Sequence, residues 1–335
     1  MNSVVSAIHE SIRPSAPRVR EGAFPVEVTP WWGGPPATVE ARWRLSGVDD
    51  APVVAVLGGL SSNRQADGSQ GWWSAQIGPG RALDTNELAV LGIDFLGERP
   101  SGWRGVDVRD QAQLLGGVLD GLGIDRLQAV VGASYGGAVA LAFAERQAQR
   151  CGRALVLSAA HRPDPMATAL RCLQRRWLEQ AAGGDGRAEA TSLARALAMT
   201  TYRSAADFRH RFDAPAVHDG GRWRFPVEDY LLARGRDFAR RFDAARYHVL
   251  SESMDLCRID PGLLEVDLRL LAVVEDRLVP LEQVRELARA TRARLSVVES
   301  RYGHDAFLAE HGLVEAWLQQ QLQDEGRMRG PSGPN

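Results

Sequence analysis

The chain of 335 residues is 44% hydrophobic and 24% charged, so it can bury a substantial core in one large domain or two modest ones. Forty basic residues against 42 acidic ones give a formal net charge of −2, which argues against nucleic acid or an anionic membrane as a partner. The three cysteines are widely separated and form no CxxC pair, and no apolar run approaches the ~18 residues that span a bilayer. These features predict a cytoplasmic protein with reduced cysteines.

Short apolar runs alternate with helical patterns between two ends that we expect to be disordered, residues 1–22 and 324–335. The apolar runs predict buried strands over 52–57, 88–93, 127–131, 154–157, 268–274 and 295–298. The helical patterns cover 106–122, 137–149, 281–290 and 306–323. This alternation predicts an α/β fold with a mostly parallel sheet flanked by helices.

The alternation stops in the middle of the chain, where the residues between about 162 and 264 follow an almost wholly helical pattern. The sequence therefore predicts a core of residues 23–161 and 265–323 with an inserted helical lid of residues 162–264. Open α/β sheets bind ligands at the carboxyl ends of their strands, so we expect the lid to cover the site there.

Gly132-Ala-Ser-Tyr-Gly136 has the G-x-S-x-G pattern between a predicted strand and a predicted helix, which is the context that this motif requires. The two glycines allow the backbone to turn back sharply, which exposes Ser134 as a candidate nucleophile. The backbone N–H of Tyr135, at the helix N-terminus, is a candidate donor to an oxyanion. The alternative is a glycine-rich turn in an unrelated βαβ unit.

A serine nucleophile needs a histidine base and an orienting carboxylate, and α/β-hydrolase chains supply the acid and then the histidine from loops after later strands. Asp276 follows the predicted strand 268–274, with Glu275 as the rival acid. Of seven histidines, only His304 lies on a loop after a strand. The order Ser134, Asp276, His304 therefore predicts an α/β-hydrolase fold with a catalytic triad.

A second oxyanion donor normally comes from the loop after an early strand. The loop after the predicted strand 52–57 contains Leu60, whose backbone N–H is the candidate donor; the alternative is a plain strand-to-loop turn. The sequence has neither HExxH nor a paired histidine and carboxylate cluster, so we expect no metal site.

Several segments outside the elbow resemble the homoserine O-acetyltransferase family, which includes homoserine and serine O-acetyl- and O-succinyltransferases. The resemblance runs from about residue 71 to residue 308, and its lid and C-terminal motifs are far more specific than the elbow. It rests on GWWSAQIGPG at 71–80 with Asp84-Thr85, GASYGG at 132–137, MTTYRS at 199–204, YL at 230–231 with RFDA at 241–244, Asp276 with Leu278 and Pro280, and YGHDAFL at 302–308.

Matched residue by residue, the resemblance implies the same triad and adds Arg195, Tyr202 and Asp305 as substrate contacts. A guanidinium suits the α-carboxylate of an amino acid, and Asp305 beside the catalytic histidine suits its α-ammonium group. The alternatives are a solvated or salt-bridging Arg195 and an Asp305 that caps the last helix.

The implied activity is a two-step transfer in methionine biosynthesis, from acyl-CoA to Ser134 and then to the hydroxyl of homoserine. CoA is then a substrate rather than a bound cofactor, and the resemblance implies a homodimer through the lid. Three alternatives remain: a transferase of the same family with serine as its acceptor, a carboxylester hydrolase with the same triad, and a non-enzymatic binding protein.

The acyl donor is open between acetyl-CoA and succinyl-CoA. Leu60-Ser-Ser62, preceded by Gly59, stands where acetyl-transferring members have Leu-Thr-Gly and is closer to succinyl-transferring members, which favours succinyl. Residues 96–103 also depart from the Gly-Ser-Thr-Gly-Pro-type loop of the family. Arg64 and Arg99 are candidates for the succinyl carboxylate, with solvated loop arginines as the alternative.

Overall fold

The computed structural model of the protein describes residues 18–181 and 186–323. Within them, ten strands form one large sheet and one small hairpin. They are β1 (Arg18–Val28), β2 (Ala37–Gly47), β3 (Val53–Leu57), β4 (Ala89–Ile93), β5 (Ala129–Ala133), β6 (Arg153–Leu157), β7 (Val217–Asp219), β8 (Arg222–Arg224), β9 (Asp267–Val273) and β10 (Arg294–Val298).

The large sheet has the order β1-β2-β4-β3-β5-β6-β9-β10, and all neighbouring strands from β4 to β10 are parallel. The six predicted strands are present, with ends displaced by no more than two residues. The predicted α/β fold with a mostly parallel sheet is therefore confirmed.

Two antiparallel strands at one edge of the sheet, β1 and β2, were not predicted. The prediction of a disordered arm is wrong for residues 18–22, which pair with residues 43–47 of β2. Only Val26 and Val28 of β1 are buried, so backbone hydrogen bonds rather than an apolar run define this strand. Residues 1–17 and the predicted tail over 324–335 lie outside the described residues.

Side chains of the central strands point alternately to the two faces of the sheet, and both faces are covered by helices. The described helices are α1 (Val108–Leu122), α2 (Tyr135–Arg146), α3 (Pro165–Gln180), α4 (Arg187–Tyr202), α5 (Ala205–Phe212), α6 (Pro226–Ala239), α7 (Ala244–Leu256), α8 (Leu281–Thr291), α9 (Ala306–Ala309) and α10 (His311–Gln323). One face buries Ala55, Leu57, Val130 and Val156 with Leu115 and Phe143. The other buries Val54, Val56, Val131 and Leu155 with Trp317 and Leu318.

The single helix predicted over 306–323 is broken into α9 and α10 at Glu310. Glu310 has φ −91° and ψ 64°, outside the helical region, and its carboxylate accepts a 2.7 Å hydrogen bond from the Ser300 hydroxyl. This contact ties Glu310 to the preceding loop, and the helical pattern of the sequence does not reveal the break between the two helices.

Helices α3 to α7 and the hairpin β7–β8 lie between β6 and β9 in the chain, and we call residues 165–256 the helical insertion. Its first helix begins at an Asp164 N-cap, whose carboxylate accepts the Met166 N–H over 2.9 Å, with Pro165 at the first position. None of the described helices is both long and apolar enough to cross a bilayer.

Candidate active site

The nucleophile elbow connects β5 to α2 through Ser134, which has φ 55° and ψ −120°. A positive φ is uncommon for a residue other than glycine, and such strain is held in place by surrounding structure. A Cβ atom at Gly132 would collide with the backbone oxygen of Gly136, and one at Gly136 would collide with the oxygen of Leu57. Both glycines of the motif are therefore required for this turn.

The structure brings the three predicted triad residues together from loops after β5, β9 and β10. His304 Nε2 lies 2.8 Å from Ser134 Oγ, and His304 Nδ1 lies 2.7 Å from Asp276 Oδ2. All three residues are buried. A continuous hydrogen-bonded chain of this kind can move the hydroxyl proton of the serine to the imidazole while the carboxylate stabilises the imidazolium.

Both carboxylate oxygens of Asp276 have defined partners. Oδ2 contacts His304, and Oδ1 accepts the N–H groups of Leu278 and Val279, each over 2.9 Å. The rival acid, Glu275, points away and accepts the N–H of Ser300 over 2.8 Å. The geometry therefore places Asp276, and not Glu275, behind the histidine.

Opposing effects act on the pKa of His304. Burial disfavours the charged imidazolium, whereas the charge of the Asp276 carboxylate and its hydrogen bond favour it. The net result is a pKa of His304 above its ordinary value, to which the carboxylate of Asp305 also contributes. The imidazole is thus a stronger base than an isolated histidine.

The two predicted oxyanion donors lie on adjoining loops. Tyr135 is the first residue of α2, so its N–H has no acceptor within the helix. Leu60, after β3, lines the same cavity as Ser134. The N–H of Gly136 donates to Gly58 O over 2.8 Å and ties the two loops together. The two loops that carry the predicted donors are thus joined next to the serine, and the assignment of both N–H groups to an oxyanion stays a prediction.

A cavity of ≈ 200 Å³ opens over Ser134 and His304, between the sheet and the helical insertion. The three predicted substrate residues, Arg195, Tyr202 and Asp305, all line it. Arg195 donates to the Tyr202 hydroxyl over 3.1 Å, and its guanidinium lies 4.8 Å from the Tyr202 ring centroid and 4.7 Å from that of Phe238. These contacts hold the half-buried guanidinium at the wall of the cavity.

Asp305 stands at the N-cap position of α9, but its side chain makes no capping hydrogen bond. Its Oδ2 instead accepts from Arg203 Nε over 2.9 Å. The interpretation of Asp305 as a helix cap is therefore wrong, because the carboxylate is turned to an arginine of the helical insertion at the cavity.

The two arginines considered for the succinyl carboxylate do not line the cavity. Arg64 pairs with Asp94 over 2.7 Å, and Arg99 lies 3.5 Å from Glu252. That hypothesis is wrong for both residues, because each cation is directed to a protein carboxylate away from Ser134.

The cavity also contains polar residues of α3 that the sequence analysis missed, Arg171 and Gln174. They face inward, whereas Met166, Leu173 and Trp177 on the same helix are exposed. The buried side of α3 is thus mixed, with Arg171 and Gln174 beside the apolar Ala167 and Leu178, so the apolar pattern alone does not identify the two polar residues that reach the cavity. Other lining residues outside the predicted set include Ser61, Ser62, Trp72, Tyr247, Ser251, Met254 and Phe307.

Comparisons with known proteins agree with this geometry. Residues 52–310 match the family described as alpha/beta hydrolase fold. The chain is 41% identical over 292 residues to homoserine O-succinyltransferase of Xanthomonas campestris pv. campestris, covering 85% of this chain and 79% of that protein. The chain belongs to the homoserine O-acetyltransferase family.

Another relative within the homoserine O-acetyltransferase family is homoserine O-acetyltransferase of Thermus thermophilus, 35% identical over 289 residues, with 77% of this chain and 74% of that protein covered. Among solved structures, esterase E22 has a similar fold, with a TM-score of 0.81 at 18% identity, covering 92% of this chain and 100% of the other. Similarity at that identity concerns the fold alone, so transfer and hydrolysis must be distinguished by the residues of the cavity.

Proposed function

We propose that this protein is a homoserine O-acyltransferase of methionine biosynthesis, with a succinyl donor favoured over acetyl. The observation that carries the proposal is the composition of the cavity. Beside Ser134 and His304 it presents a cation at Arg195 and an anion at Asp305, which match the carboxylate and ammonium groups of an amino acid. A simple ester has neither group.

The first half-reaction acylates Ser134. Its Oγ attacks the thioester carbonyl of acyl-CoA while His304 Nε2 takes the hydroxyl proton, and Asp276 stabilises the imidazolium through Nδ1. The N–H groups of Tyr135 and Leu60 hold the oxyanion of the tetrahedral intermediate. The C–S bond then breaks, and the proton on Nε2 passes to the departing thiolate, so that CoA leaves as a thiol.

The second half-reaction repeats these steps with homoserine. His304 Nε2 takes the proton of the substrate hydroxyl, whose oxygen attacks the acyl-serine, and collapse of the intermediate returns that proton to Ser134 Oγ. Arg195 holds the α-carboxylate and Asp305 the α-ammonium group, with Tyr202 fixing the arginine. Water competes poorly because it lacks the two charges that position the acceptor.

A basic pocket adjoins the cavity and supports a CoA thioester as the donor. This pocket, of ≈ 360 Å³, shares Arg195 with the cavity, and its lining contains five arginines against one aspartate. Arginine is the preferred residue for binding phosphate groups, so the pocket suits the phosphates of CoA. The thioester end of the donor would then reach Ser134 in the cavity. Its charged lining residues are Arg195, Arg203, Arg211, Arg234, Arg241 and Asp237.

The acyl donor is assigned from two observations. The relative at 41% identity is named a succinyltransferase and the one at 35% an acetyltransferase. The loop Gly59–Ser62, whose sequence is closer to succinyl-transferring members, lines the cavity beside Ser134. Both favour succinyl-CoA, used as a substrate and not as a bound cofactor.

A homodimer through the helical insertion, in the cytoplasm, is part of the proposal. Met166, Leu173 and Trp177 form an apolar stripe along α3 and are 67%, 55% and 38% exposed. Burial of such a stripe against a second copy would remove apolar surface from water. Sedimentation equilibrium should give twice the chain mass, and Leu173→Asp should give the monomer; a monomeric wild type would contradict the dimer.

The activity is tested by thiol release from acetyl-CoA and from succinyl-CoA, each with homoserine and with serine as the acceptor. We expect the fastest release with succinyl-CoA and homoserine, and the product should be O-succinylhomoserine by mass spectrometry. Preference for serine would change the acceptor assignment. Thiol release that no amino acid accelerates would support the alternative carboxylester hydrolase.

A further inference from the structure

A buried charge cluster joins α3 to α7 next to the cavity. Arg171 Nη2 lies 2.6 Å from Asp255 Oδ1, and Arg175 Nη1 lies 2.7 Å from Asp255 Oδ2. The side chains of Arg171, Arg175 and Asp255 are only 10%, 12% and 9% exposed. Two guanidinium groups thus share one carboxylate, and the cluster carries a net charge of about +1 in a poorly solvated place.

The two arginines differ in what they face. Arg171 lines the cavity over Ser134, whereas Arg175 does not and donates instead to the backbone and side-chain oxygens of Ser251. Arg171 uses Nε and Nη2 for Asp255, and among the described residues its Nη1 has no hydrogen-bond partner. One donor group of a charged, largely buried side chain is therefore available to a ligand in the cavity.

Arg171 also acts electrostatically on the triad. Burial lowers and Asp276 raises the pKa of His304, and the charge of Arg171 contributes a smaller lowering. The guanidinium is therefore within electrostatic reach of the imidazole that contacts Ser134. Ser134 and Arg171 line the same cavity, so an acyl group attached to Ser134 would share it with this guanidinium.

We propose that Arg171 binds the distal carboxylate of a dicarboxylic acyl group and selects a succinyl-type donor over acetyl. This inference rests on the proposed function. Homoserine has one carboxylate and one ammonium group, which Arg195 and Asp305 satisfy, so the acceptor brings no anion for the net positive charge of the Arg171–Arg175–Asp255 cluster. A succinyl carboxylate would neutralise the excess charge of the cluster, whereas an acetyl group offers it nothing.

The test compares Arg171→Met with the matched control Arg175→Met, since both remove one partner of Asp255 but only the first removes a side chain that lines the cavity. The rate constant of thiol release is measured by stopped flow with succinyl-CoA and with acetyl-CoA, in the absence of acceptor. We expect Arg171→Met to lower succinylation at least about tenfold and to change acetylation less than about threefold. Arg175→Met should leave the ratio of the two rates near that of wild type.

Arg171→Lys, which keeps the charge but not the planar fork, should give an intermediate ratio. Three results with the variants would overturn the assignment: equal losses with both donors in Arg171→Met, an unchanged ratio of the two rates in that variant, or the same change of ratio in Arg175→Met. A wild type that prefers acetyl-CoA would overturn it as well. Because no acceptor is present, these rates report on acylation of Ser134 by the donor and not on homoserine binding. Failure of homoserine to accelerate turnover would instead count against the proposed function.

Discussion

Arg203 Nε donates to Asp305 Oδ2 over 2.9 Å, so the carboxylate next to His304 is engaged by an arginine of the helical insertion. Arg203 also lies in the basic pocket that we assign to the donor phosphates. One ion pair thus joins the proposed acceptor site to the proposed donor site. An incoming ammonium group would share Asp305 with Arg203 rather than find it isolated.

Asp305→Asn should preserve a burst of thiol release from acyl-CoA and raise the KM for homoserine. The acyl group reaches Ser134 before the acceptor is needed, whereas the ammonium group loses its counter-charge. Rapid-mixing measurements well above the pKa of His304, with His304→Ala as the variant that forms no acyl-enzyme, separate the two steps. Loss of the burst in Asp305→Asn would place that residue in the first half-reaction or in the fold.

Arg195→Lys should raise the KM for homoserine roughly tenfold or more, because a charged hydrogen bond contributes ~1.5–3 kcal/mol and lysine lacks the planar fork. Hydrolysis of p-nitrophenyl acetate, which has no carboxylate to hold, should barely change. Both reactions are measured on the same preparation, with circular dichroism as the control for folding. Equal losses in both would mean that Arg195, stacked on Tyr202 and Phe238, supports the helical insertion instead.

Acylation should fail on acidification with a midpoint above the ordinary histidine pKa of ~6.5. The reason is that the pKa of His304 is raised, so protonation removes the base at a higher pH than in a free histidine. Asp305→Asn should move this midpoint to lower pH, because the Asp305 charge is one of the causes of the raised pKa. If the acidic midpoint of the pH–rate profile is the same in wild type and Asp305→Asn, a group other than His304 limits the rate at low pH.

The triad was predictable because each of its members carries a local signal. Ser134 lies in a motif that requires a strand before it and a helix after it, and Asp276 and His304 lie on the loops that follow two later strands. Parallel strands place their carboxyl ends at one edge of the sheet, so three separate loops converge without any long-range information in the sequence.

Arg171 carried no comparable signal. Its helix, α3, exposes Leu173 and Trp177 and buries Arg171 and Gln174, and the packing of α3 against α4 and α7 determines that orientation. The edge strand β1 was missed for a related reason, since its partner β2 supplies backbone hydrogen bonds that do not depend on apolar side chains. In both cases the decisive contacts are made by residues distant in the chain.

Arg234→Glu should raise the KM for succinyl-CoA severalfold, because it replaces a cation with an anion in the basic pocket. Arg236→Glu is the matched control, since Arg236 is an exposed residue of the same helix that does not line this pocket. A succinyl thioester of N-acetylcysteamine, which has no phosphates, should react equally with both variants. Equal effects of the two substitutions on the KM for succinyl-CoA would show that this pocket does not bind the phosphates of the donor.

The proposed reaction carries an acyl group on Ser134 and passes it to homoserine. Intact-protein mass spectrometry after mixing with succinyl-CoA alone should show one added succinyl group, and peptide mapping should place it on Ser134, with none on Ser134→Ala. Homoserine should discharge this group as O-succinylhomoserine far faster than water does. A label on another residue, or discharge at the same rate with and without homoserine, would contradict this reaction.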